Sequence, residues 1–244
     1  MNAQMKLYWD TYFEHYNTHA LVRKSPNYLR EYEDDLAEGQ IMELGCGQSN
    51  YCIEYCQSGR TVFAIDNDQE QLAMLQERIT KLSPENINNL KLLNATILQD
   101  PLPDEIFSVV IISNLLHFFS IDDCKKIIEQ IVPRTKSGSI ILVSVHSDKH
   151  YANNPNDPHN NNYFKHYFTE NDLTTLFDEK IFEMTFLADI QKKLPKIEIE
   201  IIDKWLDKVL NQMKVIDKKL RQVYKNGYLN DKQESDRVAI FKRK

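Results

Sequence analysis

The chain has 244 residues, 42% hydrophobic and 27% charged, with only six glycines and eight prolines. That composition excludes wholesale disorder and collagen-like or low-complexity structure, and the length suits one generous domain or one domain with an appendage. Thirty basic residues against 36 acidic ones give a net charge of −6, a poor basis for binding a phosphate backbone. No apolar run reaches the ~18 residues of a membrane span. The start Met1-Asn2-Ala3-Gln4-Met5-Lys6 lacks the pattern of a secretory leader. Cys46, Cys52, Cys56 and Cys124 are not spaced as a disulfide framework. A soluble, cytoplasmic protein with no nucleic-acid or membrane partner is expected.

In chain order, residues 5–38 read as helical. Tyr8, Trp9, Tyr12, Phe13 and Tyr16 recur at helical spacing, and Ser25-Pro26 reads as the cap and first position of a second helix ending near Gly39. From residue 40 the period changes. Strands are predicted at 40–44, 61–65, 90–93, 107–113 and 139–145, separated by helices at 50–57, 69–82 and 121–132, with a turn at Ser137-Gly138. Residues 107–113 are almost continuously apolar, as befits a strand buried on both faces. Strands alternating with helices predict a parallel, doubly wound α/β sheet.

After residue 145 the pattern loosens. Residues 146–166 hold four of the seven histidines, and six asparagines fall between 153 and 162, so a long polar loop is expected. A capped helix follows at 169–177, then strands at 181–188 and 237–241. Between those strands Ile197, Ile201, Trp205, Val209, Met213, Ile216, Leu220 and Val223 keep helical spacing for about thirty residues, although Ile197, Ile199 and Ile201 would also suit a strand.

The chemically informative stretch is Glu43-Leu44-Gly45-Cys46-Gly47-Gln48-Ser49, between a strand and a helix. Gly45 and Gly47 permit a sharp turn and leave no Cβ to obstruct a ligand. The turn opens a helix N-terminus, which attracts a carboxylate or phosphate. Asp66 ends the next strand, where a carboxylate can accept both ribose hydroxyls. A dinucleotide and S-adenosylmethionine (SAM) both suit these features. A dinucleotide fingerprint would place glycine at the position held by Asn50, and it rarely has an acid where Glu43 stands.

An acid followed by Gly-x-Gly and a small residue resembles the first motif of class I SAM-dependent methyltransferases, and the order of later features extends the resemblance. Asp66 matches the ribose-binding acid, and Asn94-Ala95 the adenine-edge pair. Residues 102–107 resemble the approach to the fourth strand, and Ser113-Asn114-Leu115-Leu116-His117-Phe118 the segment leaving it. The resemblance spans about 36–188 plus the last strand. It is nearest to small-molecule members, including ubiquinone/menaquinone-type and tellurite-resistance-type enzymes. It implies a Rossmann-like sheet of about seven strands, with an N-terminal helical lid over 1–38. The SAM-binding core would be 39–190 plus 236–244, with a helical insertion at 191–235 before the last strand.

The implied cofactor is SAM, with Glu43, Gly45, Cys46 and Gly47 holding its methionine end. Asp66 would bind the ribose, Asn67, Asn94 and Ala95 would lie along the adenine, and Asn114 and His117 near the sulfonium. Three departures from the family pattern stand out. Asn67 replaces an apolar residue, Asn94 an acid, and Ser108 an aspartate.

The expected acceptor is a small molecule with an O, N, S or C nucleophile. His117 and His146, both just past strand ends, are the candidate bases. Tyr12 and Tyr16 either close over the cofactor or simply pack. His150, His159 and His166 read as loop decoration. His146 and His150 would pair on a metal only within a helix, and no metal is expected. Cys46, Cys52 and Cys56 near the cofactor would suit soft-element chemistry, although small buried thiols explain them more simply. Residues 192–225 carry a charge of +5 against −11 elsewhere, and a helix over 196–226 could form a homodimer contact. The other functions this chain could have are a nicotinamide-dinucleotide oxidoreductase and a silent SAM-binding scaffold.

Overall fold

A computed structural model describes residues 3–16, 27–153, 164–192, 196–229 and 234–244. Two compact units are present. One comprises Asn27–Ile190 with Ser235–Lys244, and the other Met1–Pro26 with Gln191–Glu234.

The larger unit is built on strands β1 (Gln40–Leu44), β2 (Val62–Asp66), β3 (Leu90–Asn94), β4 (Phe107–Ser113), β5 (Thr135–His146), β6 (Phe182–Lys192) and β7 (Glu234–Arg243). They form a seven-stranded sheet in the order β3-β2-β1-β4-β5-β7-β6. The pairs β1–β2, β1–β4, β2–β3 and β4–β5 are parallel. Strand β7 runs antiparallel to β5, with His146 opposite Asp236. The sheet is therefore mixed rather than wholly parallel as expected. The order reverses between β1 and β4, which opens a crevice at the carboxyl ends of those strands.

Side-chain alternation divides the core in two. Ile41, Val109, Ile111, Ile140 and Leu142 face one layer, with Cys52, Ile53 and Cys56 of α2 (Asn50–Gln57) and Leu72, Leu75 and Ile79 of α3 (Gln69–Leu82). Met42, Val110, Ile112, Ile141 and Val143 face the other, with Ile127 and Ile131 of α4 (Ile121–Ile131) and Leu173 of α5 (Glu170–Leu176). A strand with helices on both sides must be largely apolar, and β4 is so from Val109 to Ile112.

Two local expectations are corrected in this unit. Ser137-Gly138 is no turn between elements but an irregularity within β5. The register against β4 slips between Phe107 and Val109, Gly138 has φ +86°, and Lys136 N donates to Ser139 Oγ. The second N-terminal helix is, over the described residues, only a 3-10 turn at Arg30–Asp35. Asn27 Oδ1 accepts the Leu29 amide at 3.0 Å, a side-chain bond that competes with a helical start. The Ser25-Pro26 cap lies outside the described residues.

The smaller unit contains α1 (Ala3–Tyr16), α6 (Lys196–Gln212) and α7 (Lys218–Leu229). Trp205 Nε1 donates to the Gln4 carbonyl at 3.1 Å, and Tyr8 meets Trp205 edge-on at 5.7 Å. The predicted thirty-residue helix is two helices. Lys214 adopts a left-handed conformation (φ +57°), Val215 N donates to Leu210 O and Lys214 N to Asn211 O, a Schellman stop. Asp217 Oδ1 then accepts the Leu220 amide and starts α7. The apolar period crosses the break because Met213, Ile216, Leu220 and Val223 are exposed and not bound to a core register.

Candidate functional site

At the carboxyl end of β1 the chain turns through Gly45 (φ +63°) and Gly47 (φ +48°). Cys46 N donates to Ile65 O at 3.0 Å, which ties the turn to β2. Ser49 caps α2 through its Oγ, accepting the amides of Tyr51 and Cys52. The two glycines serve different ends. A Cβ on Gly47 would meet nothing nearer than Gln71 Oε1 at 3.9 Å, so the backbone there is open to a ligand. A Cβ on Gly45 would lie 2.6 Å from Leu115 Cδ1. Gly45 thus makes room for the Leu115 side chain in the direction its Cβ would take. Gly45→Ala is expected to cost about 1–3 kcal/mol through overpacking added to left-handed strain. Gly47→Ala should carry the strain alone. Urea denaturation giving equal losses for the two would discount the Leu115 contact.

Asp66 is fastened to this turn. Its Oδ2 accepts Gly47 N at 2.8 Å and its Oδ1 accepts Asp68 N at 2.9 Å. Burial raises its pKa, and the amides of Asp68 and Gly47 oppose that rise. A carboxylate has about four acceptor positions, so two backbone amides leave room for ribose hydroxyls. Asn94 pairs with Asp66 in register and donates its Nδ2 to Asp66 O at 3.2 Å, which leaves Oδ1 as an exposed acceptor. Ala95 N also donates to Asp66 O at 3.0 Å, and Asn67 is exposed beside it.

Glu43 is 2% exposed and accepts from Cys52 Sγ at 3.1 Å. All four cysteines are buried and free. Burial pushes the Cys52 thiol well up. For Cys46 the bond with Cys52 lowers the pKa, but burial and the charges of Glu43 and Asp66 outweigh it. Both thiols lie within the core rather than on its surface. Ser108, at the opposite end of β4, accepts from Arg60 Nη2 at 2.6 Å and donates to Gln40 O, a structural role.

Beyond β4 and β5 lies a column of imidazoles. Asn114 is left-handed (φ +54°) and its amide donates to Ser144 O at 2.8 Å, which turns the chain towards His117. His117 stacks on His146 (3.8 Å, 5°), and His146 on His150 (4.0 Å, 29°). Phe164 meets His117 and His146 edge-on at 5.0 and 4.6 Å. The His117 carbonyl accepts the Lys165 amide at 2.8 Å, which anchors the returning segment. His146 Nδ1 lies 2.9 Å from Asp236 Oδ1, and that carboxyl side chain is 4% exposed.

The hydrogen-bond network assigns the tautomers. His117 Nδ1 accepts the His146 amide at 3.3 Å and His150 Nδ1 accepts the Ala152 amide at 3.1 Å, so both neutral rings carry their proton on Nε2. His146 Nδ1 instead faces the Asp236 carboxyl, and its Nε2 has no such backbone bond. Burial first, then His146, holds His117 far below an ordinary histidine pKa, with His150 adding to the effect and Asp236 opposing it. A histidine kept neutral in the native state takes up a proton only on unfolding. The stability it confers is complete above about pH 6.5 and is lost as the pH falls, by up to about 1.4 kcal/mol per unit. Denaturant midpoints should therefore fall between about pH 7.5 and 5.5, and less so in His117→Gln. An equal slope in that variant would assign the loss elsewhere.

His146, His150 and Asp236 place possible ligand atoms within 4.8 Å of one another. As arranged they do not chelate. Imidazole lone pairs lie in the ring plane, and stacked rings direct them side by side rather than at one point. The site residues absent from the sequence expectations are Asp236, His150's partnership in the stack, and Phe164. Only the antiparallel β5–β7 register could have revealed Asp236. Tyr12 belongs to the smaller unit, where it packs against Trp9 at 5.4 Å and Tyr8 at 6.2 Å. The Tyr16 side chain and His159 lie outside the described residues.

Residues 41–138 match the family model of the methyltransferase domain. That segment carries the methyltransferase domain. The methyltransferase fold extends beyond that segment. TehB from Haemophilus influenzae superposes with a TM-score of 0.63 at 18% identity, over 97% of this chain and 67% of that one. The magnesium protoporphyrin IX methyltransferase ChlM from Synechocystis PCC 6803, with bound SAH, gives 0.60 at 10% identity over 97% and 94%. A TehB-like SAM-dependent methyltransferase from Corynebacterium glutamicum gives 0.56 at 11% identity over 99% of both chains. At these identities the likeness is one of fold. No curated protein sequence matches the chain. The methyltransferase cofactor is SAM, and the open backbone at Gly47, the spare acceptor positions of Asp66 and the exposed Asn94 Oδ1 fit it.

Proposed function

We propose that this protein methylates a small-molecule acceptor, using SAM held across the β1–β4 switch point and the acceptor at the imidazole column. The observation that carries this reading is the continuity of the carboxyl edge. The Gly45–Gly47 turn, Asp66, Asn94 and Asn114 lie on successive strand ends, and the only three stacked histidines among the described residues adjoin them. The activated methyl of the sulfonium is the chemistry SAM supplies. The chain's residues hold and orient the reactants, and positioning of this kind contributes on the order of 7–11 kcal/mol.

In this reading Glu43, Gly45, Cys46 and Gly47 hold the methionine end, Asp66 the ribose, and Asn67, Asn94 and Ala95 the adenine. Gly45 supports them through Leu115, and Asn114, His117 and His146 serve the transfer end. Tyr12 and Tyr16 are proposed as acceptor-side residues. The 1–38 segment would act as a lid, 39–190 plus 236–244 as the core, and 191–235 as an insertion. The test is calorimetric titration with SAM and with NAD, followed by assay for SAH in the presence of candidate acceptors. Binding of NAD in preference to SAM would overturn the reading.

The acidic net charge supports a small acceptor over nucleic acid, and the absence among the described residues of a helix able to cross a membrane accords with a cytoplasmic setting. Self-association through 196–226 belongs to the same reading. It is supported by Ile216 and Val223, 89% and 66% exposed, with Leu220 and Tyr224 at helical spacing. Light scattering should then show a dimer in the wild type and a monomer in Ile216→Glu/Val223→Glu. Equal masses would exclude this contact.

A further inference from the structure

Three imidazoles are stacked in one column, yet they are not equivalent. His117 and His150 each spend Nδ1 on a backbone amide and carry a proton on Nε2. Such rings donate and cannot accept a proton at Nε2. His146 is the reverse, because Asp236 takes its Nδ1 proton at 2.9 Å. Its Nε2 is the acceptor, and its side chain is 15% exposed where those of its neighbours are almost fully buried. Asp236 is held on β7 directly opposite His146 on β5, so its position is set by the sheet rather than by a loop. A buried carboxylate in this place fixes one tautomer and stabilises the imidazolium that forms on proton uptake.

We infer that His146 is the general base and Asp236 its positioning residue, and that the acceptor is a weakly acidic hydroxyl compound such as a phenol or enol. The inference rests on the methyltransferase reading above and names its substrate class. An acceptor that already presents a lone pair, such as a tertiary amine, a thioether or an oxyanion, has no proton to give. A base beside it would add nothing, and once protonated would oppose the arriving cation. A hydroxyl acceptor uses the arrangement in full. Its O–H bond breaks with the proton passing to His146 Nε2, and the oxygen pair forms the bond to the methyl carbon. The carbon–sulfur bond breaks with its electrons returning to sulfur, giving the methyl ether, S-adenosylhomocysteine and a His146 imidazolium paired with Asp236. An imidazole is closer in pKa to a phenol or enol than to an aliphatic alcohol, so proton transfer to it is better matched for the former.

The experiment uses the full chain saturated with S-adenosylhomocysteine. Long-range nitrogen NMR of the histidine rings should show His146 as the Nδ1–H tautomer at neutral pH. In Asp236→Asn, whose amide donates to Nδ1, it should switch to Nε2–H. A purely structural Asp236 would leave the tautomer unchanged. The probe 4-nitrophenol, yellow only when ionised, should bind to the wild-type complex with ionisation and remain un-ionised in His146→Gln and Asp236→Asn. With SAM and a phenolic acceptor panel, Asp236→Asn should lower turnover on the order of 10³–10⁴-fold while retaining SAM affinity. An Nε2–H tautomer in the wild type, failure of the probe to bind or ionise, or turnover confined to acceptors without a hydroxyl would each overturn the inference. Failure to bind SAM would instead refute the methyltransferase reading.

Discussion

Asp66→Ala is expected to weaken SAM binding by about 1–3 kcal/mol, roughly ten- to hundred-fold in Kd. The residue acts in two ways. Its carboxylate offers the acceptor positions that a ribose diol needs, and it also holds the amides of Gly47 and Asp68 at 2.8 and 2.9 Å. Removal would therefore delete the proposed ribose contact and release the Gly47 turn. Asp66→Asn keeps the shape and one carbonyl oxygen, so its loss should be intermediate. Calorimetric titration of well-folded variants checks this, with circular dichroism and a denaturation curve as controls. Binding as tight as wild type in Asp66→Ala would remove Asp66 from the cofactor site.

His146→Gln is expected to lower turnover on the order of 10²–10⁴-fold with SAM affinity unchanged, the usual scale for a positioned general base. The loss should fall on kcat more than on KM, because proton transfer strengthens only as the transition state forms. The imidazole column makes the substitution specific. His117 and His150 present Nε2–H and cannot substitute for the missing lone pair without giving up a backbone bond. Steady-state kinetics with a turned-over acceptor, compared with SAM titration, separates the two effects. A fall in SAM affinity equal to the fall in turnover would place His146 in cofactor binding instead.

Much of this protein is determined locally and was legible in the amino-acid order. The run Phe107–Ser113 reads as a doubly buried strand because each of its faces meets a helical layer, and period-2 alternation needs no knowledge of the partner. The Glu43–Ser49 turn and Asp66 are legible because glycine conformation, helix capping and strand ends are encoded within a few residues.

Other features depended on contacts between distant segments. That Gly45 yields to Leu115, seventy residues away in sequence, follows only from the approach of β4's exit to β1's. The apolar period through Met213, Ile216 and Val223 promised one long helix, yet those side chains bury nothing, and a left-handed Lys214 ended the helix without penalty to a core. The His146–Asp236 pair shows this most clearly. His146 was visible as a strand-end histidine, but Asp236 stands ninety residues on. Nothing in either neighbourhood states that β7 inserts antiparallel beside β5 and brings the two into register. Periodicity specifies which face of an element is buried. Which partners meet across a sheet is settled only when the strands pair, and that pairing decided the chemistry of the column.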